Sequence, residues 1–346
     1  MIKQIFSKLT VLTGCVILLT ACSGNSGSIE SKTTETDVEA AVESTNNGNA
    51  DTDTGFSIES MGKEVYYKNS PERIVALGYD LAEMIVMLGE GDRIIGIAPS
   101  MYMLEDVKKE YRDEISQMKL LPDGQTTGVP SLETVLSEDP DFVLGYSYSF
   151  YENAAGTVDD YISNGINFYA TEGTYVSNAT IENTYNDFLN LGKILGKEAE
   201  AEQIVSDMRQ RVKSVEEKVS NKEKISVFVY DYGTIDNLQS IGGVGFQNNL
   251  ITLAGGENIF KDIESDFAIV STEELIKRNP DVIVIVEYYS PDAGKEKIDY
   301  INSLDELAEI NAVKNQNFVV ISGYSFFPCG QNVDLIEKLA DAFYSD

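Results

Sequence analysis

A duplicated segment constrains the fold of this chain more than any other feature. Residues 131–144 read SLETVLSEDPDFVL, and residues 271–284, 140 positions later, read STEELIKRNPDVIV. Each copy predicts a serine N-cap, a helix of about two turns, a Pro-Asp turn and a buried strand. The matched positions are Ser131/Ser271, Glu133/Glu273, Leu136/Ile276, Pro140/Pro280, Asp141/Asp281 and Val143/Ile283. A repeat at this spacing predicts two lobes of similar plan.

The composition fits two lobes and excludes several classes of function. The chain has 346 residues, 42% of them hydrophobic, which is enough for two domain-sized cores. Its net charge of -31 repels nucleic acid and gives no attraction to anionic lipid headgroups. The chain has no histidine, which excludes Ser-His-Asp and Cys-His catalysis as well as His-ligated zinc and haem.

The N-terminus predicts a lipoprotein signal peptide over residues 1–21. Two lysines precede an apolar run from Leu9 to Leu19, and the segment Leu-Thr-Ala-Cys that ends at Cys22 matches a lipobox. The alternative is an uncleaved transmembrane anchor, for which the apolar run is short. We expect Cys22 to carry lipid, the only covalently bound group, and to anchor the protein to the outer face of the cytoplasmic membrane.

Residues 22–55 predict a disordered acidic tether, since they contain Ser, Gly, Asn, Thr, Asp and Glu with almost no large apolar side chain. Cys15 leaves with the signal peptide and Cys22 carries lipid, so Cys329 is the one free thiol of the mature chain. No internal disulfide can form. We expect Cys329 to be a packing residue, with a place at the rim of a cleft as the alternative.

From residue 56 onward, strand-like apolar runs alternate with helical patterns, which predicts an α/β fold with mostly parallel sheets. We assign residues 56–180 to an N-terminal lobe and 221–346 to a C-terminal lobe. The predicted strands are residues 73–77, 93–98, 141–145, 166–170, 225–230, 281–286 and 317–322, and predicted helices include 81–89 and 335–343.

Residues 181–220 carry apolar side chains at spacings of three and four, a helical pattern. A single helix of this length would span about 55 Å and could run along both lobes. Gly192 and Gly196 are possible breaks, so two ordinary helices within one lobe are the alternative.

Tyrosines recur where the predicted strands end, which is where open α/β sheets bind ligands. Rings with a hydroxyl rim suit a large, partly apolar ligand, although each tyrosine taken alone is better explained by packing than by ligand binding. These strand-end segments contain no Lys or Arg, so a strongly anionic ligand would lack counter-charges. The candidate ligand-binding residues are Tyr79, Asp80, Met101, Tyr102, Tyr146, Tyr148, Tyr151, Tyr232, Phe246, Tyr288, Tyr289, Tyr324 and Phe326.

Residues 240–256 place glycines before a helix that starts near Phe246. As a dinucleotide fingerprint the pattern is weak, and a secreted context argues against that ligand. Backbone donors at this helix start would instead hold a carboxylate or amide of the ligand.

Glu133 and Glu273 fall at the second helical position of each copy of the duplicated segment. A carboxylate there stabilises the helix dipole by about 0.3–1 kcal/mol, which is a sufficient local reason for either residue. Helix stabilisation does not explain why the two copies match at a constant spacing.

From about residue 70 to the C-terminus, the chain resembles the class III substrate-binding proteins of ABC importers, which take up cobalamin, ferric siderophores and haem. The resemblance implies two Rossmann-like lobes joined by one long rigid helix, with a ligand cleft between them. It also implies that Glu133 and Glu273 dock onto arginines of the permease, because they fall on the glutamates of the cobalamin-binding member. The motifs that carry it lie at residues 70–97, 130–144, 253–260, 270–285 and 317–324.

This chain departs from parts of the family pattern. It has no tryptophan, which the cobalamin-binding member uses in its cleft, and no histidine, which haem-binding members often use to ligate iron. We therefore expect a monomeric, non-catalytic receptor that delivers a metal complex to an ABC permease dimer, a ferric siderophore of low negative charge being favoured. The ligand alternatives are a cobamide and tyrosine-ligated haem. The functional alternatives are a secreted carboxylate-pair hydrolase and a lipoprotein that binds a host protein.

Overall fold

The computed structural model describes residues 55–100, 102–122, 128–234, 237–290 and 292–345. The predicted signal peptide, Cys22, nearly all of the predicted tether and Met101 lie outside these residues. Among the described helices, none is both long and apolar enough to cross a membrane.

The body of the protein opens with an antiparallel hairpin that the sequence reasoning missed. β1 (Phe56–Ser60) and β2 (Lys63–Tyr67) are joined by a turn at Met61 and Gly62, which both have positive φ. A two-residue turn of this kind matches the twist of paired strands, and glycine adopts it without strain. Alternate residues along both strands are buried, so the alternation was a usable sequence signal.

The N-terminal lobe contains a four-stranded parallel sheet, and all four of its predicted strands are confirmed. The strand order is β4-β3-β5-β6. These strands are β3 (Ile74–Ala76), β4 (Ile94–Ile97), β5 (Phe142–Gly145) and β6 (Asn167–Ala170). The helices of this lobe are α1 (Tyr79–Met87), α2 (Lys109–Ile115), α3 (Leu132–Ser137) and α4 (Val158–Ser163).

Two helices, α5 (Ile181–Leu195) and α6 (Glu198–Val219), follow the N-terminal lobe, so the expectation of one uninterrupted helix is wrong. Gly196 ends α5 in the left-handed conformation that glycine readily adopts. Gly192 then allows close packing of the two helices, because a Cβ at this position would collide with Ala201. The chain turns back on itself instead of continuing along one axis.

The first of these helices, α5, contacts both lobes. At its start, the backbone N–H of Ile181 donates to Asn249 Oδ1 of the C-terminal lobe at 2.9 Å. At its end, the carbonyl of Ile194 accepts from Ser70 Oγ of the N-terminal lobe at 2.9 Å. With 15 residues, α5 is about 22 Å long, far shorter than the single helix that was expected.

The C-terminal lobe has a parallel sheet of order β10-β7-β12-β13 and a smaller antiparallel sheet of order β11-β9-β8. The three predicted strands β7, β12 and β13 are confirmed, whereas the small sheet was not predicted. The strands are β7 (Ile225–Tyr230), β8 (Tyr232–Thr234), β9 (Asn237–Ile241), β10 (Gly256–Asn258), β11 (Phe267–Val270), β12 (Val282–Glu287) and β13 (Phe318–Ser322). The helices are α7 (Phe246–Leu253), α8 (Thr272–Arg278), α9 (Ala293–Asn302), α10 (Asn311–Lys314) and α11 (Asn332–Phe343).

The two parallel sheets have the same topology, which accounts for the duplicated segment. Within each lobe, the first strand in chain order lies between the second and the third, and the fourth lies beside the third. Each copy of the repeat supplies the third strand, β5 or β12, and the helix before it, α3 or α8. The prediction of two lobes of similar plan is therefore confirmed.

The serines of the repeat cap their helices, as predicted. Ser131 Oγ accepts from the backbone N–H of Thr134 at 3.3 Å, and Ser271 Oγ accepts from that of Glu274 at 3.2 Å. Each bond satisfies one backbone donor that the first helical turn would otherwise leave without a partner.

The aspartates of the Pro-Asp turns join the third strand of each sheet to the first. The carboxylate of Asp141 accepts from the backbone N–H groups of Glu72 and Arg73, both at 2.9 Å, just before β3. The carboxylate of Asp281 accepts from Ser226 Oγ in β7 at 2.6 Å. Each aspartate thus has a tertiary role in addition to forming the predicted turn.

One buried apolar core runs through both lobes and the helices between them, and a second lies on the other face of the C-terminal sheet. Strand β12 separates the two. Val282, Val284 and Val286 face the shared core, while Ile283 and Ile285 face the second. A strand buried on both faces reads as a continuous hydrophobic run, as this one does.

Candidate functional site: the cleft between the lobes

Segments that follow the strands of the two parallel sheets meet between the lobes. The ring of Tyr102, after β4, packs edge-on against that of Tyr324, after β13, with centroids 5.5 Å apart. The ring of Tyr148, after β5, packs edge-on against Phe327 at 6.3 Å. The carboxyl ends of strands from both lobes therefore face one cleft, as the ligand-site rule for α/β sheets predicts.

A buried aspartate lies at the wall of this cleft that the N-terminal lobe forms. The hydroxyl of Tyr146 donates to Asp80 Oδ2, and the backbone N–H of Leu81 donates to Asp80 Oδ1 at 3.0 Å. Burial raises the pKa of Asp80 to about 7, although both hydrogen bonds favour the charged form. Asp80 is thus a structural acid whose protonation changes near neutral pH.

A second buried acid, Glu83 of α1, connects the two lobes. Tyr324, from the C-terminal lobe, donates its hydroxyl to Glu83 Oε2 at 2.5 Å. Gln331 Nε2 donates to the same oxygen at 3.0 Å, and the backbone N–H of Lys108 donates to it at 3.1 Å. Burial raises the pKa of Glu83, while these donors lower it. The contact holds the lobes together through one carboxyl group.

On the C-terminal side, Asp231 has a similar arrangement. Tyr288 donates its hydroxyl to Asp231 Oδ1 at 2.8 Å, and Gln239 Nε2 donates to Oδ2 at 2.9 Å. Burial raises the pKa of Asp231. Lys297 lies behind these residues with its Nζ 5.7 Å from the centre of the Tyr288 ring, and burial lowers the pKa of its ammonium group.

An open cavity of about 230 Å³ lies in the cleft beside these groups. Its lining combines aromatic rings, hydroxyl groups and one carboxylate, and the described lining residues include no Lys or Arg. Among the residues that the structure describes, no group of three or more Cys, Asp or Glu is placed to hold a metal ion. The lining residues are Tyr148, Gly173, Thr174, Tyr175, Val176, Ser177, Phe246, Gln247, Asp266, Phe267 and Phe327.

The structure divides the candidate ligand-binding residues by burial. Tyr148 and Phe246 line the cavity, and Met101 is not among the described residues. Tyr288 is of intermediate exposure. The buried candidates are Tyr79, Asp80, Tyr102, Tyr146, Phe246, Tyr324 and Phe326. The exposed candidates are Tyr148, Tyr151, Tyr232 and Tyr289.

Sequence reasoning missed most of the cavity lining. Residues 173–177 follow β6, the one parallel strand of the N-terminal lobe whose end was not searched, and the same rule would have found them. Asp266 and Phe267 stand at the start of β11, in the small sheet that was not predicted. Cys329 is fully buried and its Sγ accepts from the backbone N–H of Gln331 at 3.4 Å, which confirms its packing role.

The two repeated glutamates lie outside the cleft. Glu133 of α3 and Glu273 of α8 are both exposed, and neither forms an ion pair with another described residue. A hydrogen bond with Ser131 lowers the pKa of Glu133. Each lobe therefore presents one unpaired carboxylate at the start of an equivalent helix.

Comparisons with known proteins agree with this architecture. Residues 74–324 match the family described as periplasmic binding protein. A substrate-binding lipoprotein of an ABC transporter in Bacillus subtilis, YvrC, is 25% identical over 83% of this chain and 85% of its own length. A vitamin B12-binding protein of Vibrio campbellii is 22% identical over 66% of this chain and 76% of its own.

A solved structure has the same fold. It is described as an ABC-type Fe3+-hydroxamate transport system from Saccharomonospora viridis, and it matches with a TM-score of 0.70 and 23% identity over 84% of this chain and 99% of its own. These proteins bind substrates for transport, so the alternative of a secreted hydrolase is wrong. With 251 residues matched, more than half of its length, the chain belongs to the periplasmic binding protein family, as an extracytoplasmic substrate-binding protein and not an enzyme.

Proposed function

We propose that this protein is a lipid-anchored receptor that captures a ferric siderophore of low negative charge and delivers it to an ABC permease. The observation that carries the proposal is the cavity between the lobes, where rings and hydroxyl groups occur without any basic side chain among the described lining residues. Such a lining suits a partly apolar complex and gives no counter-charge to a strongly anionic one. The solved structure described as an Fe3+-hydroxamate transport system supports iron as cargo.

A cobamide is the second candidate ligand. The relative from Vibrio campbellii that is named as a vitamin B12-binding protein favours it. Tyrosine-ligated haem is the third, with Tyr148 and Tyr175 as the tyrosines on the cavity wall. The cavity of about 230 Å³ is smaller than the 300–1,000 Å³ typical of ligand sites, and because it is open, a ligand of this size would extend beyond it.

Titration of the purified protein separates these candidates. A ferric trihydroxamate, a cobamide and haem each absorb visible light, and their binding would also quench tyrosine fluorescence in this tryptophan-free chain. We expect saturable binding of the ferric complex. Saturable binding of the cobamide or haem alone would replace the proposed ligand, and no binding of any of the three would contradict the transport of a metal complex.

Docking to the permease is proposed to use Glu133 and Glu273. Their exposed, unpaired carboxylates stand at equivalent positions of two lobes, which fits a membrane partner with two halves. Salt should weaken such docking, because exposed charge pairs are screened. The anchor would be lipid on Cys22, and we expect the receptor to act as a monomer.

We predict that Glu133→Ala combined with Glu273→Ala abolishes uptake and leaves ligand affinity unchanged, since neither carboxylate lines the cavity. Uptake of labelled ligand by cells and titration of the purified protein are the two measurements. A matched control, Glu64→Ala with Glu306→Ala, removes one exposed carboxylate from each lobe and should not alter uptake. Equal loss of uptake in both double variants would contradict docking through the repeat.

A further inference from the structure

The start of α7 is where the sequence predicted that backbone donors would hold a carboxylate or amide of the ligand. In the structure, a carboxylate of the chain itself lies there. Gly245, the N-cap of α7, has a φ of 83°. A Cβ at position 245 would collide with the carboxylate of Asp266, so glycine is required both by the backbone conformation and by this side chain.

Asp266 also faces the cavity. It lines the cavity beside Phe267, and it is the only charged side chain among the described lining residues. Its own backbone carbonyl accepts from the N–H of Gly242 at 2.8 Å, which holds the segment against the glycine-rich loop before α7. The backbone of residue 266 is therefore held at the wall of the cleft, and its exposed carboxylate lines the cavity.

The position of Asp266 reverses the electrostatic preference expected of this helix start. A helix N-terminus favours an anion, but here the carboxylate of Asp266 lies beside Gly245, the N-cap residue of the helix. An anionic group of a ligand would meet this carboxylate within a chain of net charge -31. A cationic group would be attracted as strongly as the partner in an exposed ion pair.

We propose that Asp266 makes the cleft select its ligand by charge, so that a cationic or neutral complex binds more tightly than an anionic complex of the same shape. The proposal rests on the proposed function only for the identity of the ligand, a ferric complex. The charge preference itself is a property of the cavity wall and is testable apart from that identity.

The first test uses a ferric linear trihydroxamate in three forms that differ at one terminal amine: free and cationic, N-acetylated and neutral, and N-succinylated and anionic. We expect the mature protein to bind them in that order, with about fivefold between neighbouring forms, the size of an exposed ion-pair effect. Asp266→Asn should remove most of this spread, and Asp266→Glu should keep it. Glu264→Gln, which removes an exposed carboxylate two residues away, should leave it unchanged.

The second test needs no ligand. Phe267→Trp places a single tryptophan at the cavity wall of a chain that otherwise has none. Adding Asp266→Asn should increase quenching of its fluorescence by iodide and decrease quenching by caesium, with little change for neutral acrylamide. Adding Glu264→Gln should have a much smaller effect.

An unchanged affinity spread in Asp266→Asn, or tightest binding of the anionic form, would overturn charge selection by Asp266. Failure of all three ferric complexes to bind would contradict the proposed function instead, and the quenching experiment alone would then decide. In that case, equal changes in the Asp266→Asn and Glu264→Gln backgrounds overturn the inference, and a change confined to Asp266→Asn supports it.

Discussion

Tyrosines at the strand ends form two groups that look alike in sequence and differ in environment. The inner tyrosines are Tyr79, Tyr102, Tyr146 and Tyr324, each at most 6% exposed, and Tyr288 is intermediate between the groups. The outer tyrosines are Tyr148, Tyr151, Tyr232 and Tyr289, which are 37% to 68% exposed.

The difference shows that one residue type serves two purposes in the same topological position. Two of the inner hydroxyls satisfy buried carboxyl groups: Tyr146 donates to Asp80, and Tyr324 donates to Glu83 across the lobes. Burying a carboxyl group without such a donor would cost several kcal/mol. Outer rings remain accessible, and Tyr148 lines the cavity. We infer that the inner group stabilises the cleft and that the outer group contacts the ligand.

The largest expected effect is on stability. Tyr146→Ala should lower the free energy of unfolding by about 3–5 kcal/mol, because it opens a cavity in the core and removes the donor to Asp80. Tyr232→Ala, an outer tyrosine in β8, should change it by about 0.5 kcal/mol or less. Urea denaturation measures both, and similar losses would remove the distinction between the two groups.

A smaller effect, of about 2 kcal/mol, is expected from the protonation of Asp80. Its folded pKa of about 7 lies above the value of about 4 for an unfolded aspartate. Between these values the native state binds more protons than the unfolded state, so this group's contribution to stability falls as pH rises. As the pH rises from about 5 to about 8, the free energy of unfolding should fall in both proteins. The fall should be about 2 kcal/mol smaller in Asp80→Asn than in the unaltered protein.

Urea denaturation at both pH values tests the titration of Asp80. An identical pH dependence in the Asp80→Asn variant and the unaltered protein would show that Asp80 does not titrate in this range. It would also weaken the view that burial keeps the carboxyl group of Asp80 protonated below neutral pH.

The smallest effect concerns ligand affinity alone. Tyr148→Ala should weaken binding by about two- to tenfold, since a lost aromatic contact is worth about 0.5–1.5 kcal/mol. Tyr66→Ala, at a similarly exposed tyrosine on β2 that does not line the cavity, should leave affinity unchanged. Fluorescence titration with the ferric complex measures both. Unaltered affinity in Tyr148→Ala would place the ligand away from this wall.

Local patterns predicted much of the fold because their causes are local. Serine caps and Pro-Asp turns depend on a few neighbouring residues, so Ser131 and Ser271 could be assigned in advance. The predicted strands of the parallel sheets are largely apolar runs, and β3, β5 and β12 are buried along almost their whole length. The broken helix was harder, because the left-handed conformation of Gly196 and the close approach of Gly192 to Ala201 are visible only in the folded chain.

The sequence by itself determined the two-lobe plan, the helix caps, the parallel strands and the strand-end position of the tyrosines, all of which follow from short-range pattern and repetition. Only the tertiary structure decided which tyrosines are buried, since burial depends on contacts between segments such as Glu83 and Tyr324, 241 residues apart. The same holds for Asp266, whose carboxylate reaches the start of α7 because a distant strand and the glycine loop pack together. No local sequence pattern predicts contacts between segments that are separated in the chain, and the charge at the cleft wall depends on such contacts.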